Sequence, residues 1–209
     1  MKKVLLYPAI VVTLLSVPWT GCHRQGSGKE KAVPVEKDTP GLQQTAPVSE
    51  EAAADALREA ALSGDLQEVK KLLASGIPAD VADPDGRTPL MLSAFNGHSS
   101  IVLELIGRDA AVDQKDLEGR TALMYASSGP FPETVKILLD KGADPNNVDS
   151  GEHFTSLMHA AAEGHLEVVK LLVEYGADPA LRDVDNDSAE SFALQAGHKA
   201  VVDYLQSLN

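Results

Sequence analysis

The sequence predicts an all-α solenoid of about five two-helix units, and the main observation is a repeat of 33 or 34 residues that begins near residue 51. One column of equivalent residues has steps of 33, 33, 34 and 33 and consists of Val69, Val102, Val135, Val169 and Val202. A leucine column keeps the same steps and consists of Leu72, Leu105, Leu138, Leu172 and Leu205. Because repeated units of this kind bury their apolar sides against one another, the chain after residue 50 is predicted to form a row of similar units.

Two short helices are predicted in each unit. The first has a leucine followed by small residues, as in residues 88–94, and the second has apolar residues at i, i+3 and i+4, as in Val169, Leu172 and Val173. Glycines are expected between the helices at Gly97, Gly164 and Gly197, and after the second helix at Gly76, Gly142 and Gly176. A polar turn such as residues 83–87 then leads to the next unit.

Three segments resemble the ankyrin-repeat family. Residues 85–90 (Asp-Gly-Arg-Thr-Pro-Leu) and 118–123 (Glu-Gly-Arg-Thr-Ala-Leu) are similar to its repeat opening, and residues 164–178 are similar to its second-helix consensus. The resemblance implies an all-α ankyrin-repeat solenoid over residues 51–209, with units at 52–84, 85–117, 118–151, 152–184 and 185–209. The first unit lacks the Thr-Pro-Leu opening and the last places Glu190 in a leucine column, so both are expected to be caps.

Members of this family usually bind partners through the turn tips and the exposed side of the first helices, a face that is concave. The resemblance therefore implies a partner-binding set that comprises Asp85, Arg87, Phe95, Asn96, Glu118, Arg120, Tyr125, Glu152, Phe154, Glu163 and Asp185. One interpretation of this set is a surface charge ladder whose ion pairs contribute little. The other is a mixed-charge strip anchored by the exposed rings of Phe95, Tyr125 and Phe154. Phe131 has two interpretations as well, a contact residue or a filler of a gap beside a neighbouring unit.

The charge of the chain restricts the partners it can bind. The net charge is −13, and the part after residue 50 is more acidic still, with 27 Asp and Glu residues against 12 Lys and Arg. Such a surface repels phosphate backbones, which argues against nucleic-acid binding. It attracts basic protein partners, although the same charge is consistent with a role in solubility alone.

Neither a cofactor nor a metal is predicted. Residues 183–188 are similar to the front half of a calcium loop, but Ser188 stands where glycine is needed and Leu194 where the closing glutamate is needed. The six histidines do not form a ligand set, since His98, His165 and His198 occupy the same turn of three different units. The sequence also lacks the phosphate-loop, serine-hydrolase and zinc-protease motifs, which argues against an enzyme.

The N-terminal region is predicted to be a targeting signal followed by a tether. Residues 1–21 have the basic start and the short apolar run of a secretory signal, and Thr20-Gly21-Cys22 resembles the bacterial lipoprotein motif, in which the cysteine is lipidated. Trp19 departs from the aliphatic residue usual in that motif, and ordinary cleavage or an uncleaved anchor is the alternative. Residues 22–50 are predicted to be a disordered tether because they are poor in large apolar residues. His23 rather than aspartate after the cysteine favours the outer membrane.

These observations predict a lipid-anchored, monomeric module that faces the bacterial periplasm and binds a protein without catalysing a reaction. One alternative is an accessory or immunity-type factor that inhibits or stabilises a single enzyme. Another alternative, from a different class, is a calcium-dependent binding protein.

Overall fold

The structure, a computed structural model, describes residues 50–208. Within this range the chain forms ten α-helices and no β-strand. The helices are α1 (Glu50–Ser63), α2 (Leu66–Ala74), α3 (Pro89–Phe95), α4 (Ser99–Ile106), α5 (Ala122–Ser127), α6 (Pro132–Asp140), α7 (Ser156–Ala162), α8 (Leu166–Glu174), α9 (Ala189–Ala196) and α10 (Lys199–Gln206). None of them combines the length and the hydrophobicity that crossing a bilayer requires. The signal, Cys22 and residues 22–49 of the tether lie outside the described residues, and Glu50, assigned to the tether, is the first residue of α1.

The ten helices stack in two layers of five. The first helices of the units, α1, α3, α5, α7 and α9, pack in that order in one layer, and the second helices, α2, α4, α6, α8 and α10, pack in the other. Each unit also packs its own two helices together. This arrangement confirms the predicted solenoid, in which each unit is stabilised mainly by its neighbours.

The core follows the repeat columns of the sequence. The leucines of the first helices are at most 1% exposed, and they are Leu57, Leu90, Leu123 and Leu157. At the equivalent position of the last unit, Glu190 is partly exposed and accepts a hydrogen bond of 2.8 Å from Gln206 Nε2. A carboxylate is tolerated there because no later unit within residues 50–208 covers it, as the cap interpretation requires.

Hydroxyl residues start four of the first helices. The side chains of Thr88, Thr121, Thr155 and Ser188 accept a hydrogen bond from the backbone N–H three residues later. Such N-caps satisfy a donor that the helix itself leaves unpaired. Because α3, α5, α7 and α9 have only six to eight residues, these caps and the packing between units decide where each helix begins.

The predicted glycines lie in the left-handed region of the backbone, with φ of 93°, 88° and 90° at Gly76, Gly142 and Gly176. The second unit has Asp109 at the equivalent position, also with a positive φ of 64°. A residue with a Cβ is strained in this conformation, so the second unit departs from the others at this point.

Candidate interaction surface

Four polar turns, here called fingers, connect consecutive units at residues 83–87, 116–120, 149–154 and 183–187. Each finger begins with an aspartate whose carboxylate binds backbone N–H groups of the same turn. In the first finger, Asp83 Oδ1 accepts the N–H groups of Asp85 and Arg87 at 2.9 and 2.8 Å. Asp116, Asp149 and Asp183 act in the same way in the other fingers. The carboxylates therefore close the turns, as in the Asx-turns that aspartate favours.

This role accounts for the segment that is similar to a calcium loop. Asp183 Oδ1 accepts the N–H groups of Asp185 and Asp187 at 3.0 and 2.7 Å, so it closes the fourth finger as its equivalents close the others. Within residues 50–208, no group of three or more His, Cys, Asp or Glu side chains is arranged to hold a metal ion.

Backbone hydrogen bonds join the fingers in a row. Leu117 N–H donates to Asp85 O at 3.0 Å, Ser150 N–H to Glu118 O at 2.8 Å, and Val184 N–H to Glu152 O at 3.1 Å. The residue that makes one repeat step 34 instead of 33 lies in the third finger. The row of fingers and the solvent-facing side of the first helices form one surface, here called the finger face.

An arginine closes each of the first two fingers. Arg87 Nε lies 2.8 Å from Asp83 Oδ2, and its guanidinium also pairs with Asp85 at 3.0 Å. Burial alone would raise the pKa of the Asp83 carboxyl, but the hydrogen bonds and the charge of Arg87 lower it below its usual value. Arg87 and Asp85, both predicted to bind a partner, are therefore paired with each other.

The second finger has the same arrangement, and it is more deeply buried. Arg120 pairs with Asp116 and Glu118, each at 3.0 Å, and its guanidinium lies 5.0 Å from the centre of the Tyr125 ring. The Asp116 side chain is only 1% exposed, and Oδ2 also accepts the Tyr125 hydroxyl at 2.8 Å. The result is a network that connects the finger to helix α5.

The expectation that Tyr125 is an exposed anchor is wrong. The residue is 6% exposed, because its hydroxyl binds Asp116 while its ring lies beneath Arg120 and meets Phe95 edge-on at 6.1 Å. Burial and the hydrogen bond to Asp116 raise the pKa of Tyr125 well above its usual value. Phe95 is half-buried against this ring, so its exposed area is smaller than the sequence suggested.

Asn96 is exposed and is tied to the preceding unit, since its Nδ2 donates to Leu62 O at 2.7 Å. Phe131 packs between neighbouring units, because its ring lies directly against Gly97 and Gly129. The structure therefore agrees with the interpretation that Phe131 fills a gap beside a neighbouring unit.

The third and fourth fingers have no arginine at the position of Arg87 and Arg120. Phe154 stands there in the third finger and Asp187 in the fourth. The Phe154 ring meets Phe192 edge-on at 5.2 Å and His159 edge-on at 5.8 Å. Rings from the third finger, from α7 and from α9 therefore form one cluster. All three rings are half-buried.

The predicted carboxylates of the last two units differ in their pairing from those of the first two fingers. Glu152, Glu163 and Asp185 are exposed, and none of them forms an ion pair with another residue of the 50–208 region. Arg182 is next to the fourth finger, but its guanidinium donates to Asn186 O at 3.0 Å. The last two fingers are thus more negative than the first two.

His159 occupies the position that Tyr125 has one unit earlier. Its Nε2 is buried and has no hydrogen-bond partner among the described residues. Burial lowers the pKa of His159 to about 4, Asp149 opposes this shift, and Arg120 adds to it. The ring is therefore neutral at pH 7 and contributes to the cluster as an aromatic group.

Two exposed apolar side chains on the fingers were missed by sequence reasoning. Leu117 is 75% exposed in the second finger, and Val184 is 53% exposed in the fourth. An aliphatic residue within an otherwise polar turn was the available signal for both, because such a residue has no core to face there.

A row of two-helix units joined by projecting fingers defines a helical repeat protein with an extended binding face. A family model described as ankyrin repeats (three copies) matches residues 57–149 and also residues 132–209. Together the two matches cover most of the chain. The chain therefore belongs to the ankyrin-repeat family, whose repeats generally mediate protein–protein interaction. No curated protein sequence matches it.

Proposed function

We propose that this protein is a membrane-tethered interaction module that faces the periplasm and holds a protein partner on its finger face. The proposal rests on a contrast between two kinds of repeat position, the buried valine and leucine columns and the last residue of each finger, here called the finger column. The valine and leucine columns are conserved from unit to unit within the chain, whereas the finger column reads Arg87, Arg120, Phe154 and Asp187. Packing between units does not require this variation. A surface that recognises one particular partner requires it, because different fingers must contact different groups of that partner.

The fingers suit binding because their backbone is ordered in advance. Aspartate side chains close each turn, and main-chain hydrogen bonds of 2.8 to 3.1 Å join successive tips. A partner that binds such a surface does not have to order it, so less of the interaction energy is lost as conformational entropy. Ankyrin repeats are typically non-catalytic, and binding alone is the activity proposed for this chain.

The tether is a separate part of the proposal. Lipidation of Cys22 after removal of residues 1–21 would leave 28 residues, 22–49, between the anchor and α1. A flexible chain of that length spans roughly 30 Å, which places the finger face beyond the membrane surface. Labelling of cells with a radioactive fatty acid tests the anchor, and the label is expected on the wild type and not on Cys22→Ala. Equal labelling of the two proteins would overturn the anchor and leave the binding proposal intact.

Crosslinking in cells, followed by mass spectrometry of the captured proteins, tests the binding function. Two finger-face variants are compared with the wild type, Asp85→Ala with Arg87→Ala in the first finger and Phe154→Ala with Asp185→Ala in the last two. The matched control is Glu167→Ala with Lys170→Ala, an ion pair of 2.9 Å on the outer helix α8. We expect a specific partner that the control retains and at least one finger-face variant loses.

Capture of the same proteins by all four chains would contradict the proposal, since the finger face would then contribute nothing to recognition. A partner that is an enzyme, with an activity that changes on addition of the purified protein, would identify the module as a regulator of that enzyme.

A further inference from the structure

The last two fingers and the helices behind them form a surface of unusual composition, here called the acidic–aromatic patch. It consists of the rings of Phe154, His159 and Phe192 with the carboxylates of Glu152, Asp185 and Asp187. Val184 belongs to the fourth finger, and its N–H donates to Glu152 O of the third finger at 3.1 Å. This bond brings the third and fourth fingers together, so their side chains belong to one continuous surface.

The second finger shows what a cation does in such a setting. There the guanidinium of Arg120 lies 5.0 Å from the centre of the Tyr125 ring and bonds to the carboxylates of Asp116 and Glu118. A cation over an aromatic face and between two carboxylates is stabilised by both. The chain therefore contains one complete example of this arrangement, in which its own arginine is the cation.

The third finger repeats the carboxylates and the ring without the cation. Asp149 and Glu152 correspond to Asp116 and Glu118, while Phe154 replaces the arginine and packs against Phe192. The fourth finger adds Asp183, Asp185 and Asp187 with no Lys or Arg among residues 183–187. The basic residue nearest in sequence is Arg182, which donates to the Asn186 carbonyl.

We infer that the acidic–aromatic patch binds an extended basic segment of the partner protein and places an arginine side chain of that segment against the rings of Phe154 and Phe192. The partner's guanidinium would then lie beside aromatic rings and carboxylates, as that of Arg120 does within the chain. Arginine suits this position better than lysine because its planar guanidinium stacks on rings and bonds to two carboxylates at once. The inference rests on the proposed function and adds the chemistry of the partner to it.

Two other occupants fit the patch less well. A nucleic acid would bring its phosphates against the carboxylates of both fingers, which is unfavourable at every salt concentration. An apolar helix would have to bury Glu152 and Asp185 without a counter-charge, and the desolvation of those carboxylates would cost more than the rings contribute.

The test measures binding of a fluorescein-labelled peptide, four Gly-Arg repeats, to the full chain by fluorescence anisotropy. The two comparison peptides are four Gly-Lys repeats and four Gly-citrulline repeats, since citrulline has the shape of arginine without its charge. We expect the arginine peptide to bind several-fold more tightly than the lysine peptide, and the citrulline peptide at least tenfold more weakly than the arginine peptide. Binding of the arginine peptide is expected to weaken steeply between 50 and 300 mM salt.

Variants locate the binding on the patch. Phe154→Arg copies the residue of the first two fingers and is expected to weaken binding at least tenfold, whereas Phe154→Leu is expected to weaken it about three- to fivefold through the lost cation–ring contact. Glu152→Gln with Asp185→Asn is expected to weaken binding about tenfold and to flatten its dependence on salt. Glu167→Gln is the matched control on the outer helix α8, where the carboxylate is paired with Lys170 at 2.9 Å, and it is expected to change binding less than twofold. Circular dichroism establishes that each variant is folded.

The outcomes separate this inference from the proposed function. Equal effects of Glu167→Gln and of the single substitution Asp185→Asn would overturn it, since the peptide would then be attracted by the net charge alone. Binding that appears only after Arg24, Lys29, Lys31 and Lys37 are changed to Gln would assign the patch to the chain's own N-terminal segment and would also overturn it. If a cellular partner is captured through the first-finger residues while the patch variants retain it, the inference fails and the proposed function stands.

Discussion

The first two fingers and the last two differ in side chains and share the same backbone. In all four, an aspartate closes the turn, and three main-chain hydrogen bonds join the successive fingers. In the first two, an arginine neutralises the carboxylates within the finger, whereas in the last two a phenylalanine and an aspartate stand in its place. The comparison teaches that the scaffold needs the aspartate and the hydrogen bonds and does not need the arginine, so the arginine position is free to serve recognition.

The same contrast extends to the helix behind the fingers. Tyr125 in α5 donates its hydroxyl to Asp116 of the second finger, while its equivalent His159 in α7 leaves Nε2 without a partner among the described residues. A side-chain hydrogen bond thus joins the second finger to helix α5, whereas the third finger contacts helix α7 through the packing of Phe154 on His159. The two halves of the finger face should therefore respond differently to matched substitutions.

The largest difference is expected between Asp116→Ala and Asp183→Ala. Asp116 is buried, and its loss would remove the acceptor of Arg120 Nε, of the Tyr125 hydroxyl and of two backbone N–H groups. The guanidinium would keep its pairing with Glu118, and we expect a loss of about 3 kcal/mol in the free energy of unfolding. Asp183 accepts only backbone N–H groups in a finger that is largely exposed, and its loss should cost about 1 kcal/mol. Urea denaturation followed by circular dichroism measures both values. Equal losses would show that the network behind the second finger adds nothing to the turn itself.

The next effect is a dependence of stability on pH that comes from His159. Its pKa is about 4 in the folded protein and about 6.5 in the unfolded chain, so the unfolded chain takes up the proton first as the pH falls. Stability is therefore lost as the pH falls from about 6.5 towards 4, by about 2 kcal/mol at pH 5 relative to pH 7.5. The variant His159→Leu copies Leu92 of an earlier unit and should lack this part of the pH dependence. Identical differences between pH 7.5 and pH 5 in the wild type and the variant would contradict the assignment.

A smaller effect is expected at the end of the second unit, where Asp109 occupies a glycine position. Asp109→Gly should raise the free energy of unfolding by about 1 kcal/mol, because glycine adopts a positive φ without strain. The reverse change Gly142→Asp, in the unit that follows, should lower it by a similar amount. The urea concentrations at the unfolding midpoints of the two variants should move in opposite directions. If Asp109→Gly is less stable than the wild type, Asp109 has a stabilising contact that outweighs the strain.

The smallest effect is expected for Arg87→Ala, which breaks the ion pairs of the first finger. The Arg87 side chain is partly exposed and its partners are accessible to water, so the loss should be about 0.5 kcal/mol. Arg120→Ala removes the equivalent residue beside the buried Asp116 and should cost about 2 kcal/mol, since a buried carboxylate loses its counter-charge. Both are measured by urea denaturation at low and high salt, and the Arg87 value should decrease with salt. Equal losses for the two arginines would show that burial of Asp116 does not matter.

Much of the fold could be predicted from the periodic residues. The valine and leucine columns predicted the buried faces, Glu190 predicted the partial exposure of its position in the last unit, and one of the two interpretations of Phe131, packing between units, agrees with the structure. Burial of these positions follows from the repeat, because every unit presents the same positions to its neighbours. The candidate site was less predictable, and Tyr125 is the clearest case. The same column has a leucine, a tyrosine, a histidine and a phenylalanine, so the repeat pattern alone does not indicate which of these residues is covered.

The sequence by itself determined the number of units, the helices in each unit, the glycine positions and the acidic character of the domain, because all of these depend on residues that recur at one spacing. Only the tertiary structure decided that Arg120 and Tyr125 close over a buried Asp116 and that Phe154 joins Phe192 across two units. It also decided that the carboxylates of the last two fingers form no ion pair with another of residues 50–208. The physical reason is that these contacts join a turn to a helix, or one unit to the next. Their distances depend on how each finger folds back over its helix, which no regular spacing along the chain records.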